Sequence, residues 1–289
     1  MLSATVPSTQ TEAFRFVSEL ARELSQGRIE LPAIPDVAAR VRRALEDERV
    51  TADRLERVVS SEPVLASRIV QLANSVAFDM GGRRISDLRS AIGRIGFNMV
   101  RTTSMAYALS QLRKSAELQG LLEPLSALWN RSTLVAAMCR VVAWRVSSVN
   151  ADVAMLAGLL HGIGELYILT RIGAYPHLST TDEGRAIIRD WRANVSKAIL
   201  ENWEIDPLIA SAVSEFENPE REHAGPVDLT DVLTVAYLLS SYMGYPESLE
   251  LNMSDVPVCR RLGLSVADYN ALIEESAEQI AALRQALDY

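Results

Sequence analysis

Only three histidines stand in this chain of 289 residues, His161, His177 and His223. None falls in HExxH or HxxxH, and none precedes an aspartate, so no pair has the spacing by which helical ligands share a face. His177 follows Tyr175-Pro176 and His223 sits in the charged run ENPEREH, which places both at the surface. His161, between Leu160 and Gly162, has the one core-like setting, and a lone core histidine reads first as hydrogen-bonded structure. Cys139 and Cys259 are too far apart for a CxxC pair and read as reduced thiols of a cytoplasmic protein. The run Gly162-Ile-Gly164-Glu-Leu-Tyr167 begins like a dinucleotide loop, but Tyr167 replaces the third glycine and no βαβ pattern surrounds it. There is no GxSxG elbow and no phosphate-loop lysine, the only lysines being Lys114 and Lys197.

The elements that would position these residues are helices. Hydrophobic residues make up 48% of the chain, charged residues 23%, and the net charge is −8. A chain of this length and composition buries a large core without staples. Apolar residues recur at helical spacing almost throughout. Thr9-x-x-Glu12 opens a helix that Gly27 stops, Pro32 and Pro35 hold an extended approach to the next, and Thr51 caps a third. Pro63 suits a first turn, with Leu65, Ile69 and Leu72 as the buried stripe. Gly81-Gly82 mark a loop, Ser86 and Asn98 are further candidate caps, and later helices are expected over 128–146, 152–170, 183–203, 207–216, 229–242 and 266–287. Ala91 to Met105, with Gly96 in its turn, mimics a helix-turn-helix but offers few base-reading groups, so it reads as packed helices. Strand patterns are nearly absent, so the fold class expected is all-α, with a soft seam near 114–124. Val153 to Thr170 is apolar enough for a membrane span, but His161 and Glu165 lie within it, which favours a buried helix pair. Residues 1–10 carry no secretory signature. Residues 28–114 have a net charge of +5 and 115–289 of −12, the pattern of solvated helix faces with a mildly basic front.

Several phrases together resemble the HDOD domain, a regulatory relative of the HD metal-dependent phosphohydrolases. They are LPAIPDVAARVRRAL, SSEPVLASRIVQLANSVAF with Glu62, Pro63, Asn74 and Ser75, ISDLRSAIGRIGFNMVR, AGLLHGIGELYIL and AILENWEIDPLIASAV. The resemblance implies a multi-helix bundle in two packed lobes. Residues 1–27 form a helix outside it, suited to docking or dimerisation. The HDOD domain covers 28–245, with a front lobe over about 28–113 and an HD-like lobe over about 120–245. Residues 246–289 form a helical extension packed on, or dimerising, the HD-like lobe. Its Tyr269, Ile273, Ile280, Leu283 and Leu287 have near-heptad spacing.

Catalytic HD proteins hold a divalent metal through a His, a His-Asp pair and a later Asp. In this chain the resemblance puts His161-Gly162 at the His-Asp pair, Arg131 at the earlier His, Arg192 at a second His, Phe216-Glu217 at a His-His pair and Tyr237 nearest the later Asp. It therefore implies a vestigial site with no catalytic residue, no metal and no cofactor, while Glu62, Pro63, Asn74 and Ser75 are structural signature positions. Arg131 and Arg192, if both face the old cavity, are either neutralised by Glu217 or Asp190 or grip an anion. The expectation is a non-catalytic, cytoplasmic signal-transduction module that binds a regulatory protein partner or a signalling nucleotide, with no membrane, no nucleic-acid partner and a possible homodimer. Two alternatives stay open. One is a metal-dependent phosphodiesterase. The other is a nucleotide- or nucleic-acid-responsive regulator using Arg40, Arg42, Arg43, Arg54, Arg57, Arg83 and Arg84 of the front lobe.

Overall fold

The computed structural model describes residues 9–27, 29, 36–47, 49–78, 84–113, 121–175, 178, 181–218, 220–242, 245 and 256–288. Among them there are fifteen helices and no strand. The all-α expectation holds. The first is α1 (Thr9–Ser25). The segment expected as the front lobe contains α2 (Asp36–Leu45), α3 (Ala52–Val59), α4 (Pro63–Ala73), α5 (Leu88–Ile95) and α6 (Phe97–Arg113). The segment expected as the HD-like lobe contains α7 (Leu122–Val146), α8 (Ala151–Leu160), α9 (Ile163–Ile172), α10 (Asp182–Asn202), α11 (Pro207–Glu215) and α12 (Leu229–Tyr242). The chain ends in α13 (Pro257–Leu262), α14 (Val266–Glu275) and α15 (Ala277–Leu287). Pro32, Pro35, Gly81-Gly82, Arg83, Lys114, His177 and most of the 114–124 seam lie outside the described residues.

Local chemistry accounts for the boundaries. Thr51 accepts from the Arg54 N–H at 3.3 Å and so starts α3. Pro63 opens α4, where its missing N–H costs nothing. Asn74 closes α4 and also grips the following chain: its Oδ1 accepts from the Ile85 N–H and its Nδ2 donates to the Ile85 carbonyl, both at 2.8 Å. Ser75 donates to the Leu72 carbonyl at 2.7 Å, and Tyr107 donates to Glu62 at 3.2 Å. Two caps differ from expectation. Asp87, not Ser86, accepts from the Ser90 N–H. Asn98 lies inside α6, because Gly96 with φ +81° makes the turn that precedes it.

The long apolar run is a helix pair in the core. Ala151–Ile172 is long and apolar enough to cross a membrane, yet 78% of its apolar window is buried within the protein. The break between α8 and α9 falls at His161-Gly162.

The lobes share one continuous core, to which α6, α7 and α8 all contribute. Both terminal segments are built into it. In α1, Phe16 and Leu20 are buried, and Glu23 takes Tyr167 and Arg171 while Glu19 takes Tyr175. The buried side of α1 thus packs on the chain's own α10, while Phe14 stays exposed. The last expected helix is broken at Ser276 into α14 and α15. α15 packs on α7, but also on α4 and α6 of the front lobe, so it spans both lobes instead of covering the HD-like lobe alone. Leu283 and Leu287 are fully buried in that contact.

Candidate functional site

The turn after α8 lies against the middle of α7, α10 and α12 and the end of α11. His161 is buried, and its Nδ1 donates to the Gly158 carbonyl at 2.7 Å. A carbonyl only accepts, so the proton sits on Nδ1, and Nε2 is a buried acceptor with no partner among the described residues. Phe216 and Tyr237 meet the imidazole edge-on, with ring centroids 5.6 and 5.7 Å away. Burial pushes the His161 pKa down to about 4, and the charges of Arg131 and Arg192 add to the drop. His161 is therefore neutral at pH 7.

Arg131 from α7 and Arg192 from α10 both reach this pocket, and each meets a carboxylate. Arg131 Nη2 lies 2.5 Å from Glu165 Oε2. Arg192 Nη1 approaches the same oxygen at 3.6 Å, while its Nε donates to Glu217 Oε2 at 2.7 Å and its Nη2 takes Glu217 Oε1. The result is an unbroken chain, Arg131–Glu165–Arg192–Glu217, of two cations and two anions. Glu217 is held above the usual carboxylate range, because burial raises it more than Arg192 lowers it. Asp190, the alternative partner for Arg192, is exposed and pairs with Arg189. Gly162 faces inward, where an added Cβ would come within 2.7 Å of Leu128 Cδ1 and 3.1 Å of Ser132 Oγ.

The pocket thus gathers Arg131, His161, Gly162, Arg192, Phe216 and Glu217. Glu62, Pro63, Asn74 and Ser75 lie apart from it, in and around α4 of the front lobe. Glu165 belongs to the ionic chain, though the sequence marked it only as a charge within an apolar run, not as a site residue. Its signal was a carboxylate in an otherwise apolar helix, four residues after His161, which burial obliges to find a cation.

A second charged cluster surrounds His223. That residue is half-buried, not exposed as its loop context implied, because Arg261 of α13 folds over it. Asp231 is buried and takes His223 Nε2 at 2.8 Å, Arg261 Nη1 at 2.8 Å and Arg221 Nη1 at 3.3 Å. His223, Asp228 and Asp231 bring their ligand atoms within 4.8 Å of one another, but two guanidiniums already serve the carboxylates. The cluster pins the C-terminal segment to the head of α12.

The front-lobe arginines mostly face carboxylates too. Arg40 and Arg43 meet Asp36, Arg42 meets Glu46 and Glu204, and Arg54 meets Asp47. Arg57 donates to the Asp53 carbonyl at 3.3 Å, and Arg84 is exposed.

Comparison with protein families matches the HDOD domain over residues 31–219. The chain belongs to the HDOD family. Among solved structures, this HDOD protein is similar to one from Shewanella amazonensis SB2B named provisionally as a metal-dependent phosphohydrolase. The two are 24% identical with a TM-score of 0.78, over 96% of this chain and 99% of that one. An HDOD domain protein of unknown function from Geobacter sulfurreducens is 24% identical with a TM-score of 0.61, covering 97% and 98%. A Marinobacter aquaeolei VT8 protein named provisionally for signal transduction is 20% identical with a TM-score of 0.62, covering 98% and 69%. At these identities the likeness is one of fold. An uncharacterized protein of Treponema pallidum (strain Nichols) is 22% identical over 174 residues, which are 58% of this chain and 31% of that relative. The matched region thus spans about a third of the curated relative's length.

Proposed function

We propose that this HDOD chain is a non-catalytic, cytoplasmic signalling module that works by binding a regulatory protein partner, and that its HD pocket is closed by ion pairs where the wider superfamily binds a metal. The observation carrying this reading is the Arg131–Glu165–Arg192–Glu217 chain. A divalent ion needs several unprotonated donors converging on one point. Here one imidazole nitrogen is free, both carboxylates are held by arginines, and two fixed positive charges would repel the ion. Gly162 supplies no carboxylate, and a side chain there would first have to move the Leu128 tip, 2.7 Å from an added Cβ. These residues do not fit a metal.

The ionic chain also bears on the anion-clamp alternative. With two carboxylates in place, an anion gains nothing unless it displaces Glu165 or Glu217. The nucleic-acid reading loses support for a similar reason, since Arg40, Arg42, Arg43 and Arg54 spend their charge on neighbouring carboxylates.

The test is elemental analysis of tag-free protein purified without chelator, combined with melting curves with and without Mn²⁺. The expected outcome is a metal ratio near zero, no Mn²⁺-induced rise in Tm and no cleavage of a generic phosphodiester. About one tightly bound transition metal per chain, or metal-dependent cleavage, would overturn the reading.

A further inference from the structure

A groove of about 700 Å³ opens at the lobe junction, between α2, α3, α5, the start of α6 and the head of α8. It is separate from the ionic chain, and its volume is that of a small-molecule site. Leu45, Val50, Ile92 and Phe97 give it apolar walls, and its charged lining residues are Arg101 and Asp152. Asp152 is already taken by Arg140, at 3.1 Å. Arg101 differs from the arginines of α2 and α3. It is half-buried, its Nη2 donates only to the neutral Asn98 Oδ1 at 3.1 Å, and its Nε is shut off from solvent without a partner. Among the described residues no carboxylate contacts it, and Asp206 acts on it only through space. A lysine so placed could discharge itself, but a guanidinium keeps its proton, and a poorly compensated buried cation is costly. The groove floor is open as well, because a Cβ added at Gly93 or Gly96 meets nothing within 4 Å.

We propose that this groove binds a nucleoside monophosphate, with the phosphate on Arg101 and the base against the apolar wall. One guanidinium fork matches one phosphate bidentately, and a planar base suits an apolar face. Because α8 contributes to the rim, an occupant touches both lobes. The proposal stands on the groove's own residues and holds whether or not the HD pocket binds metal.

Calorimetric titration of the full chain with AMP and GMP tests it, with adenosine and inorganic phosphate as controls. At least one of the two nucleotides should bind, more tightly than either control. Arg101→Gln should weaken that binding tenfold or more. Gly93→Leu, which projects a side chain into the groove from its floor, should weaken it tenfold or more, whereas Arg54→Gln, at a surface pair outside the groove, should leave it unchanged. Melting curves establish that each variant is folded, and Gly93→Leu alone decides the matter if Arg101→Gln is not. Failure of both nucleotides to bind at millimolar concentration would overturn the proposal. So would equal binding by wild type and Gly93→Leu, or adenosine binding as tightly as AMP.

Discussion

One buried and one half-buried titratable group in the HD pocket pull stability in opposite directions with pH. His161 has a folded pKa of about 4 against about 6.5 when unfolded. Its contribution is complete above the unfolded value and is lost as pH falls through that window, because the unfolded chain takes up the proton first. The full loss is about 3 kcal/mol. Glu217 is raised, so protonation favours the folded state, and its contribution is lost as pH rises above the ordinary carboxylate range. Replacing His161 with Leu should therefore remove the acid-side fall and leave the Glu217 trend exposed. Denaturant titrations at pH 7 and pH 5 would measure this. Wild type should lose stability on acidification and His161→Leu should not; parallel losses would mean that His161 is not the titrating group. The sequence put His161 in the core because its neighbours are apolar. It could not say which partner each arginine takes, because Asp190 and Glu217 were equally available in sequence, and only the α11–α12 turn brings Glu217 to Arg192.

At the scale of the helices, α9 and α10 approach so closely that one position on α9 has no room for a side chain. A Cβ at Gly164 would lie 2.1 Å from the Arg192 carbonyl oxygen and 2.8 Å from the Ser196 backbone nitrogen. Backbone cannot step aside as a side-chain tip can. The Gly164 N–H also donates to Ser196 Oγ at 3.0 Å, a bond that separation would break. Gly164→Ala should cost about 3 kcal/mol. Gly93→Ala in α5, where a Cβ meets open space, should instead add about 0.5–1 kcal/mol by helix propensity. Melting curves of the pair check both signs, and a neutral Gly164→Ala would contradict the packing argument. Most helices were legible from periodicity and caps, as at Thr51 and Pro63. The breaks were less so. Ser276 interrupts a run whose apolar spacing continues across it, and α13 is too short for any period to register. Gly164 looked like half of a nucleotide loop because sequence does not show that its missing Cβ faces a helix.

Across the whole molecule, α15 decides whether the two lobes unfold separately. The Arg68 guanidinium on α4 donates to the Gln285 carbonyl at 3.1 Å, and Trp129 Nε1 on α7 donates to Asp288 Oδ1 at 3.1 Å. Beside these anchors Leu283 and Leu287 are fully buried, in a helix that packs on α4, α6 and α7. The near-heptad spacing left packing on the chain's own core and a dimer seam both open, since the two kinds of stripe look alike in sequence; in α15 the stripe packs on the chain's own helices. One core shared by both lobes should melt as one cooperative unit. Truncating Leu283 to Ala should cost about 2–5 kcal/mol and lower the whole transition without splitting it, because its helix packs on both lobes. Tryptophan fluorescence, which includes Trp129 beside α15, and far-ultraviolet circular dichroism should give the same midpoint for wild type and for Leu283→Ala. Two separated transitions in either protein would show that the front and HD-like lobes are independent units, with α15 holding them only loosely.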